Sequence, residues 1–339
     1  MSSRYARWLP RLIGPAILIY FLLTTDLSRI VGNLRALQWT PLLVALALYP
    51  AFLAVKAWRW NVLMRNLGTE APPLGESMRI YAVGLFLGGA TPGQSGDFLK
   101  AWYLRERGQP LAPVLFSILI DRLFDFLVMA LLSLLGLMAL LGQLPAQVQA
   151  PVEIATIACV AAIVLAIPAL MARRTRDWLM TRASALAPTR ARVTLDRWRS
   201  QFATLDLRAP VLLLLLLASA CSATVTMTRL WLLFRALEIS IPILVVVGSA
   251  ALISILQVLP ISFSGVGVRD ALLIPVLAAY GYGRDQALAL SALFLLLNLE
   301  HILIGFLASL RFPPGRGAAA DRPRSRATAA PAEKRWHER

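Results

Sequence analysis

Apolar runs of membrane-spanning length recur along this 339-residue chain, separated by short polar or basic segments. Six of them approach or exceed the roughly 20 residues that a helix needs to cross a bilayer. Two more apolar segments, 77–107 and 243–280, are each broken in the middle by Gly and Pro. We therefore predict an all-α polytopic membrane protein with about six spanning helices and two re-entrant broken-helix hairpins. The predicted spans are about 8–25, 40–61, 112–141, 152–172, 209–234 and 286–310.

The same arrangement of residues occurs twice, about 170 positions apart. A basic pair with the same spacing stands in each copy, Arg59 with Arg65 and Arg229 with Arg235. A duplicated apolar segment with a Gly/Pro interruption is the sequence feature that best points to the substrate site of a transporter. We expect two repeat halves within one transmembrane domain. The expected bounds are 40–142 and 209–311 for the halves and 1–311 for the domain.

Composition and charge support this class and set the topology. Hydrophobic residues are 58% of the chain and charged residues only 15%, whereas a soluble domain carries roughly a quarter. The net charge of +16 comes from basic residues in loops and tails, which indicates contacts with anionic lipid rather than nucleic acid. The N-terminus, the basic loop 173–208 and the basic, disordered tail 312–339 are all expected to be cytoplasmic. With six spans, this arrangement makes the two halves inverted relative to each other.

Each broken hairpin carries the features of an anion site. Pro removes a backbone donor and Gly allows sharp turns, so the irregular backbone is expected to line a wet cavity. Ser95 and Ser264 are predicted N-caps of the restarting helices, whose free N–H groups attract anions. Lys100 and Arg269 are expected to face the same cavity; a kink that serves only packing is the alternative. The candidate substrate-binding residues are Pro92, Gly93, Ser95, Gly96, Lys100, Arg122, Ser264, Gly265, Gly267 and Arg269.

Charged side chains also occur inside two spans, where insertion is costly and charges normally face the protein interior. Asp121 and Asp125 share a helix face, and Arg122 can pair with Asp125 three residues away. We expect these groups to line a cavity as an ion or proton relay; the alternative is charge pairs that hold helices together. The candidates for this role are Asp121, Asp125, Asp270, Glu300 and His301.

Four arginines lie beside tryptophans at the ends of predicted spans. They are either interfacial anchors, whose long side chains reach the headgroup region, or capture sites for phosphate headgroups at the two mouths. No metal site, cofactor or catalytic residue is expected, because the chain has two His, two Cys and no phosphate-loop or nucleophile motif. The four arginines are Arg59, Arg65, Arg229 and Arg235.

Several of these motifs together resemble one family of membrane proteins. Over about 9–310 the chain is similar to the lysylphosphatidylglycerol synthase transmembrane-region family, although that family often has Glu where Asp121 and Asp270 stand. The resemblance implies a flippase-like membrane domain. It does not imply lysyl-lipid synthesis, which needs a soluble aminoacyltransferase domain. The motifs are Trp58-Arg59-Trp60, the break from Pro92 to Lys100, Asp121-Arg122 to Asp125, and Pro260-Ile261-Ser262 with the run from Gly265 to Asp270.

The expected function is a lipid flippase or transporter in the bacterial inner membrane, with both termini cytoplasmic. Its substrate would be a membrane lipid with an anionic headgroup: a phospholipid, a polyprenyl-phosphate or a hopanoid-related lipid. Each hairpin would hold the headgroup in turn. The alternative from another class is a non-transporting subunit that anchors a separate lipid-modifying enzyme. A third hypothesis, an enzyme acting on lipid, is supported only by the paired carboxylates.

Cysteine labelling tests the inverted topology. With Cys159 and Cys221 replaced, we expect Gly32→Cys and Gly283→Cys to react with an impermeant maleimide added to intact cells. Arg190→Cys should react only after the cells are permeabilised, because the basic loop is expected inside. Labelling of position 190 in intact cells would contradict this topology.

Overall fold

The computed structural model describes residues 37–89, 92–140, 146–186, 192, 207–256 and 268–311. Within these ranges the chain is helical and contains no strand, so the predicted all-α polytopic class is confirmed. The span predicted at 8–25 and the tail 312–339 lie outside the described residues. The helices are α1 Trp39–Ala47, α2 Tyr49–Asn66, α3 Leu74–Gly89, a 3-10 helix Pro92–Leu99, α4 Lys100–Arg105, α5 Leu111–Leu140, α6 Ala146–Met171, α7 Arg173–Leu186, α8 Ala209–Ala236, α9 Ile243–Leu256, α10 Val268–Ala278 and α11 Arg284–Arg311.

Among the described residues, five segments are long and apolar enough to cross a membrane, and they match five of the six predicted spans. The first joins α1 to α2 with one break at Leu48. Pro50 causes this break, because it has no N–H to donate and its ring crowds the carbonyl four residues earlier. The five segments are Trp39–Asn66, Leu111–Leu140, Gln149–Ala169, Ala209–Ala236 and Arg284–Leu310.

The segment predicted as a basic loop begins with a helix. Helix α7 occupies Arg173–Leu186, the first 14 residues of that segment. Its Arg, Leu, Met and Ala residues are strong helix formers. The segment was predicted to be a loop because of its high charge. A described basic helix therefore follows α6 directly.

The order of elements in the first half is found again in the second half. Helices α1–α2, α3, α4 and α5 correspond in order to α8, α9, α10 and α11. The turn after α2 places Gly68 at φ 72°, and the turn after α8 places Glu238, 170 positions later, at φ 57°. Both N–H groups donate to the carbonyl three residues back, at 3.2 and 3.1 Å. The repeat seen in the sequence thus extends to the detail of a helix end.

In each half, one short helix packs on a long helix of the other half. Helix α3 packs mainly on α11 of the other half, and α9 packs mainly on α5. Small residues allow both contacts: Gly136 of α5 touches the backbone of Gly248, and Gly305 of α11 touches the backbone of Ala82. Gly136 and Gly305 stand 169 positions apart, so the same repeat position provides the close approach in each half.

Equivalent helices of the two halves run antiparallel, side by side. The N–H of Gln38, before α1, donates to the carbonyl of Ala236 at 2.9 Å, and Arg59 near the end of α2 donates to Ser219. Residue numbers therefore increase along α1–α2 in the direction in which they decrease along α8, so the two segments are antiparallel. Helices α3 and α9, of 16 and 14 residues, are shorter than the roughly 20 needed to span. Inverted orientation in the membrane and re-entrance of the hairpins stay predictions.

The glycine contact between α5 and α9 gives a stability test. Gly136→Leu should force the two helices apart, because a side chain there has no room beside Gly248. We expect a loss of about 1–3 kcal/mol or more, the usual cost of overpacking. The midpoint of thermal unfolding in detergent measures it, with Gly75→Leu as the control because its surroundings are open. Equal midpoints for the two variants would contradict the packing described here.

Candidate functional site

The inner face of α2 carries four buried side chains, Tyr49, Phe52, Lys56 and Arg59. Their spacing of three, four and three residues places them on one side of a helix with 3.6 residues per turn. In an apolar span such a stripe must face protein, because a charge turned toward lipid is expensive. The stripe therefore brings two cations into the interior of the bundle.

Arg59 is the centre of a network of buried ion pairs. Its Nε and Nη2 lie 2.8 and 2.7 Å from Asp121 Oδ1, and its Nη1 lies 2.6 Å from Asp125 Oδ1. Nη1 also donates to Ser219 Oγ, and the Tyr81 hydroxyl donates to Asp121 Oδ2 at 2.7 Å. Arg59 and Asp121 are each only 1% exposed. Because every nitrogen of the guanidinium has an acceptor, the buried charge is fully hydrogen-bonded.

Lys56 lies at the outer edge of this network. Its Nζ is 2.5 Å from Asp125 Oδ2, so Asp125 uses one carboxylate oxygen for each of two cations. The Lys56 and Asp125 side chains are 10% and 11% exposed, whereas the Arg59 side chain is 1% exposed. The ammonium also lies 5.2 Å from the centre of the Phe52 ring. The pair of Lys56 and Asp125 is thus the accessible end of the network.

A second group of ion pairs adjoins the first. Asp97, in the 3-10 helix, places Oδ2 at 2.8 Å from Lys100 Nζ and 2.7 Å from Arg122 Nε. The Lys100 ammonium lies 3.9 Å from the centre of the Tyr81 ring and 5.2 Å from that of Trp60. Such cation–π contacts stabilise a cation that has left water. The two groups together hold four cations and three carboxylates.

The structure corrects three expectations about these charges. Lys100 does not face a wet cavity, because its side chain is 0% exposed between aromatic rings. Arg122 pairs with Asp97 rather than with Asp125, whose two oxygens are taken by cations of α2. Arg59 does not extend from the protein surface as an anchor would, because it is 1% exposed and paired inside the bundle. Pairs between helices have therefore replaced the pair expected within α5.

The predicted helix restart in the first hairpin is also different. Ser95 is not an N-cap, because the 3-10 helix begins at Pro92 and already contains it. Helix α4 then follows without a side-chain cap and has only six residues. Pro92 and Gly93 lie in the same 3-10 helix, and Gly96 packs so closely on the backbone of Leu87 that a side chain would not fit. The binding roles of Pro92, Gly93, Ser95 and Gly96 stay predictions.

The second half holds its own buried arginine. Arg229 of α8 pairs with Glu300 of α11, lies 3.1 Å from His301 Nε2, and donates from Nε to the Ala45 carbonyl at 2.7 Å. The His301 ring packs on the Tyr49 ring with centroids 4.7 Å apart. Like Arg59, Arg229 is enclosed by protein, so neither side chain extends from the surface as a snorkelling anchor would. The ion pairs favour the helix-holding interpretation of Glu300.

Helices α2 and α8 place equivalent residues in equivalent surroundings. Arg59 donates to Ser219, while the Arg229 guanidinium lies 5.3 Å from the centre of the Tyr49 ring. Each arginine therefore contacts the first stripe position of the opposite half, as a pseudo-twofold relation requires. The stripe residues that stand 170 positions apart are Tyr49 and Ser219, Phe52 and Ser222, Lys56 and Thr226, and Arg59 and Arg229.

Arg269, at the start of α10, is buried rather than facing a wet cavity. It is 2% exposed, and its Nε donates to Ser291 Oγ at 2.6 Å. The Ser291 hydroxyl in turn donates to Asp270, so one serine links the adjacent cation and anion. Within the part of the chain that the structure describes, Arg269 Nη1 has no hydrogen-bond partner. The predicted residues Ser264, Gly265 and Gly267 lie outside the described residues.

The remaining pair of arginines differs from Arg59 and Arg229. Arg65 and Arg235 are exposed near the ends of α2 and α8. The tryptophans Trp58 and Trp231 are 44% and 38% exposed. Arginine beside exposed tryptophan is typical of a membrane interface. Whether Arg65 and Arg235 also capture headgroups stays a prediction.

An apolar groove of about 330 Å³ lies between α5, α8 and α9. Val128 and Leu132 form its wall on α5, and Ala223 and Met227 belong to its wall on α8. Val128 follows Asp125 by three residues, so the carboxylate face of α5 continues into the groove. A polar site and an apolar groove are thus joined along one helix face.

Sequence reasoning missed four residues that contact the buried charges: Lys56, Tyr81, Ser219 and Ser291. Lys56 left a usable signal, because it is an isolated charge inside an apolar span and stands three residues before Arg59. The spacing of the α2 stripe would have placed both cations on one face. Tyr81, Ser219 and Ser291 left no comparable signal, since a hydroxyl in an apolar helix usually bonds its own backbone.

A helical bundle with five candidate spans and buried ion pairs defines a multi-pass membrane protein. Residues 8–305 match the family described as the lysylphosphatidylglycerol synthase TM region, and the chain belongs to that family. The expected family is thereby confirmed. A protein named UPF0104 membrane protein, from Methanothermobacter thermautotrophicus, is 25% identical over 311 residues. That similarity covers 82% of this chain and 86% of the relative.

The network predicts unequal effects for two arginines of α2. Arg59→Met should lower the free energy of unfolding by about 3–5 kcal/mol, because it leaves buried Asp121 without a cation. Arg65→Met should change it by less than about 0.5 kcal/mol, since Arg65 is exposed. Thermal unfolding in detergent compares the two. Similar stability of both variants would contradict the central role of Arg59.

Proposed function

We propose that this protein transports lipid, moving a lipid with an anionic, phosphate-bearing headgroup between the leaflets of the bacterial inner membrane. Both termini would be cytoplasmic. The observation that carries the proposal is the excess of cations in the buried network, which lies next to an apolar groove. The chain would act without catalysis, as the membrane domain of a family associated with lipid.

The cation excess supports an anionic substrate. Lys56, Arg59, Lys100 and Arg122 face only Asp97, Asp121 and Asp125 in the two adjoining groups of ion pairs. Each of these cations has a carboxylate partner, but together they carry one more positive charge than the carboxylates carry negative charge, which favours an anion over a cation at this site. Lysine and arginine bind phosphate through short, charge-assisted hydrogen bonds. Phosphate-bearing lipids therefore fit this site better than lipids with neutral headgroups.

The position of the groove supports a substrate that is a lipid. Moving a headgroup through hydrocarbon is costly unless polar partners replace its water. The ion-pair network would supply those partners, while the apolar groove would receive part of an acyl chain. Because both lie on one face of α5, a single lipid can reach them together. This arrangement favours transport over an anchoring role, which needs no such site.

Filling the groove should slow transport. We expect protein in liposomes to move fluorescent phosphatidylglycerol between leaflets, as measured by the fraction of probe that dithionite reduces. Ala220→Trp should lower the rate about tenfold, because displacing two methylene groups from the groove costs about 1.6 kcal/mol. Leu213→Trp is the matched control, since Leu213 is exposed two turns earlier on α8.

The outcomes separate the two candidate roles. Transport by the parental protein and by Leu213→Trp, with loss in Ala220→Trp, supports the proposal. If the purified parental protein moves no probe above empty liposomes, lipid transport is refuted for this substrate class. The anchoring role would then be favoured.

A further inference from the structure

Lys56 differs from Arg59 and Lys100, the two deeply buried cations of the network. Its side chain is 10% exposed, whereas those of Arg59 and Lys100 are 1% and 0% exposed. Lys100 is enclosed by aromatic rings, and Arg59 is held by both Asp121 and Asp125. Lys56 has one carboxylate partner, Asp125, and shares it. Lys56 therefore lies at the edge of the network. Its partner Asp125 is also bound by Arg59, which is more deeply buried.

This sharing allows Lys56 to change partner at little cost. If Lys56 leaves Asp125, the carboxylate keeps its bond to Arg59 Nη1, and no buried anion is left unpaired. The lysine side chain is flexible and its ammonium has three donors without a fixed plane. Lys56 can thus turn to an incoming phosphate while the rest of the network stays in place. Arg59 cannot do so, because its departure would leave Asp121 without its cation.

The groove distinguishes Lys56 from Arg122, the other cation with an accessible side chain. Arg122 shares Asp97, which lies in the 3-10 helix. Lys56 shares Asp125, whose helix face continues into the groove at Val128. A phosphate at Lys56 would therefore lie about one helical turn, roughly 5 Å, from space for an acyl chain.

The second half has no counterpart of this cation. The equivalent position on α8 is Thr226, which donates to its own backbone at Ser222, 2.9 Å away. Arg229, the equivalent of Arg59, pairs with Glu300. The pseudo-twofold relation thus preserves the arginine of the stripe and not the lysine. Within the described part of the second half, no lysine stands at the equivalent stripe position, so a phosphate site built on Lys56 belongs to the first half.

We propose that Lys56 binds the phosphate of the transported lipid by exchanging Asp125 for it, and that this is a single headgroup site belonging to the first half. The proposal rests on the proposed transport function and names its binding residue. It replaces two alternating sites, one in each hairpin, with one site beside the groove of α5. Asp125 is then the group that competes with the phosphate for Lys56.

Competition predicts opposite effects from the two partners. Lys56→Met should weaken binding of fluorescent phosphatidylglycerol by about ten- to a hundred-fold, the loss expected for a charge-assisted hydrogen bond. Lys56→Arg should retain most of the affinity. Asp125→Asn should tighten binding about tenfold, because Lys56 no longer has to leave a carboxylate. A purely structural pair would instead lose affinity in both neutral variants.

Equilibrium titration of the purified full-length protein in detergent measures these affinities. Arg79→Met, which removes an exposed cation of α3 that lies outside the ion-pair network, should bind as the parental protein does. Fluorescent phosphatidylcholine should bind weakly to every variant, since its headgroup carries no net charge. Soluble glycerophosphate should compete poorly, because it cannot use the groove; equal competition would show a site for free phosphate instead of lipid.

Two results would overturn the proposal. One is parental affinity for phosphatidylglycerol in Lys56→Met; the other is equal loss in Lys56→Met and Lys56→Arg. If Asp125→Asn does not fold, the contrast between the two Lys56 variants decides alone. If the parental protein transports lipid in liposomes but Lys56→Met binds it with parental affinity, the transport function is supported and only the site at Lys56 is refuted. If the variants bind phosphatidylglycerol as predicted but the parental protein does not move it between leaflets, the binding site stands and lipid transport is refuted.

Discussion

The structure depends on the burial of one guanidinium within an apolar bundle. Arg59 is 1% exposed, and its removal from water is tolerable only because each of its nitrogens meets an acceptor. Those acceptors come from α5 and α8, and Tyr81 of α3 completes the coordination of Asp121. Four helices must therefore meet at one point with fixed rotation and height.

The two halves share an order of helices but differ in the side chains of their stripes. Arginine stands at the same stripe position of α2 and α8, and each arginine contacts the first stripe position of the other half. The other stripe positions differ between the halves: Lys56 corresponds to Thr226, and Tyr49 corresponds to Ser219. A symmetric scaffold can thus carry an asymmetric charge distribution.

The sequence predicted the helical class and the five spans that the structure describes, because hydropathy depends on neighbours along the chain. It could not assign partners to the buried charges. Arg59 and Asp121 are 62 positions apart, and their pairing depends on how α2 and α5 are rotated. The prediction of a pair between Arg122 and Asp125 followed the local rule for helices, which fails where another helix provides a stronger partner. Hydroxyl partners such as Ser219 were equally invisible, because only the packed structure brings them to a charge.

The ion pairs also bear on how the chain enters the membrane during synthesis. Among the described residues, every salt bridge joins two residues of the same half: cations from 56 to 122 meet carboxylates from 76 to 125, and Arg229 meets Glu300. Contacts between the halves are made by hydroxyls, rings, carbonyls, apolar surfaces and one hydrogen bond from the Gln38 amide to the Glu238 carboxylate. The first half can therefore neutralise its carboxylates as it leaves the ribosome, before any helix of the second half exists. The buried carboxylates Asp97, Asp121 and Asp125 therefore do not have to wait for the second half to find their cations.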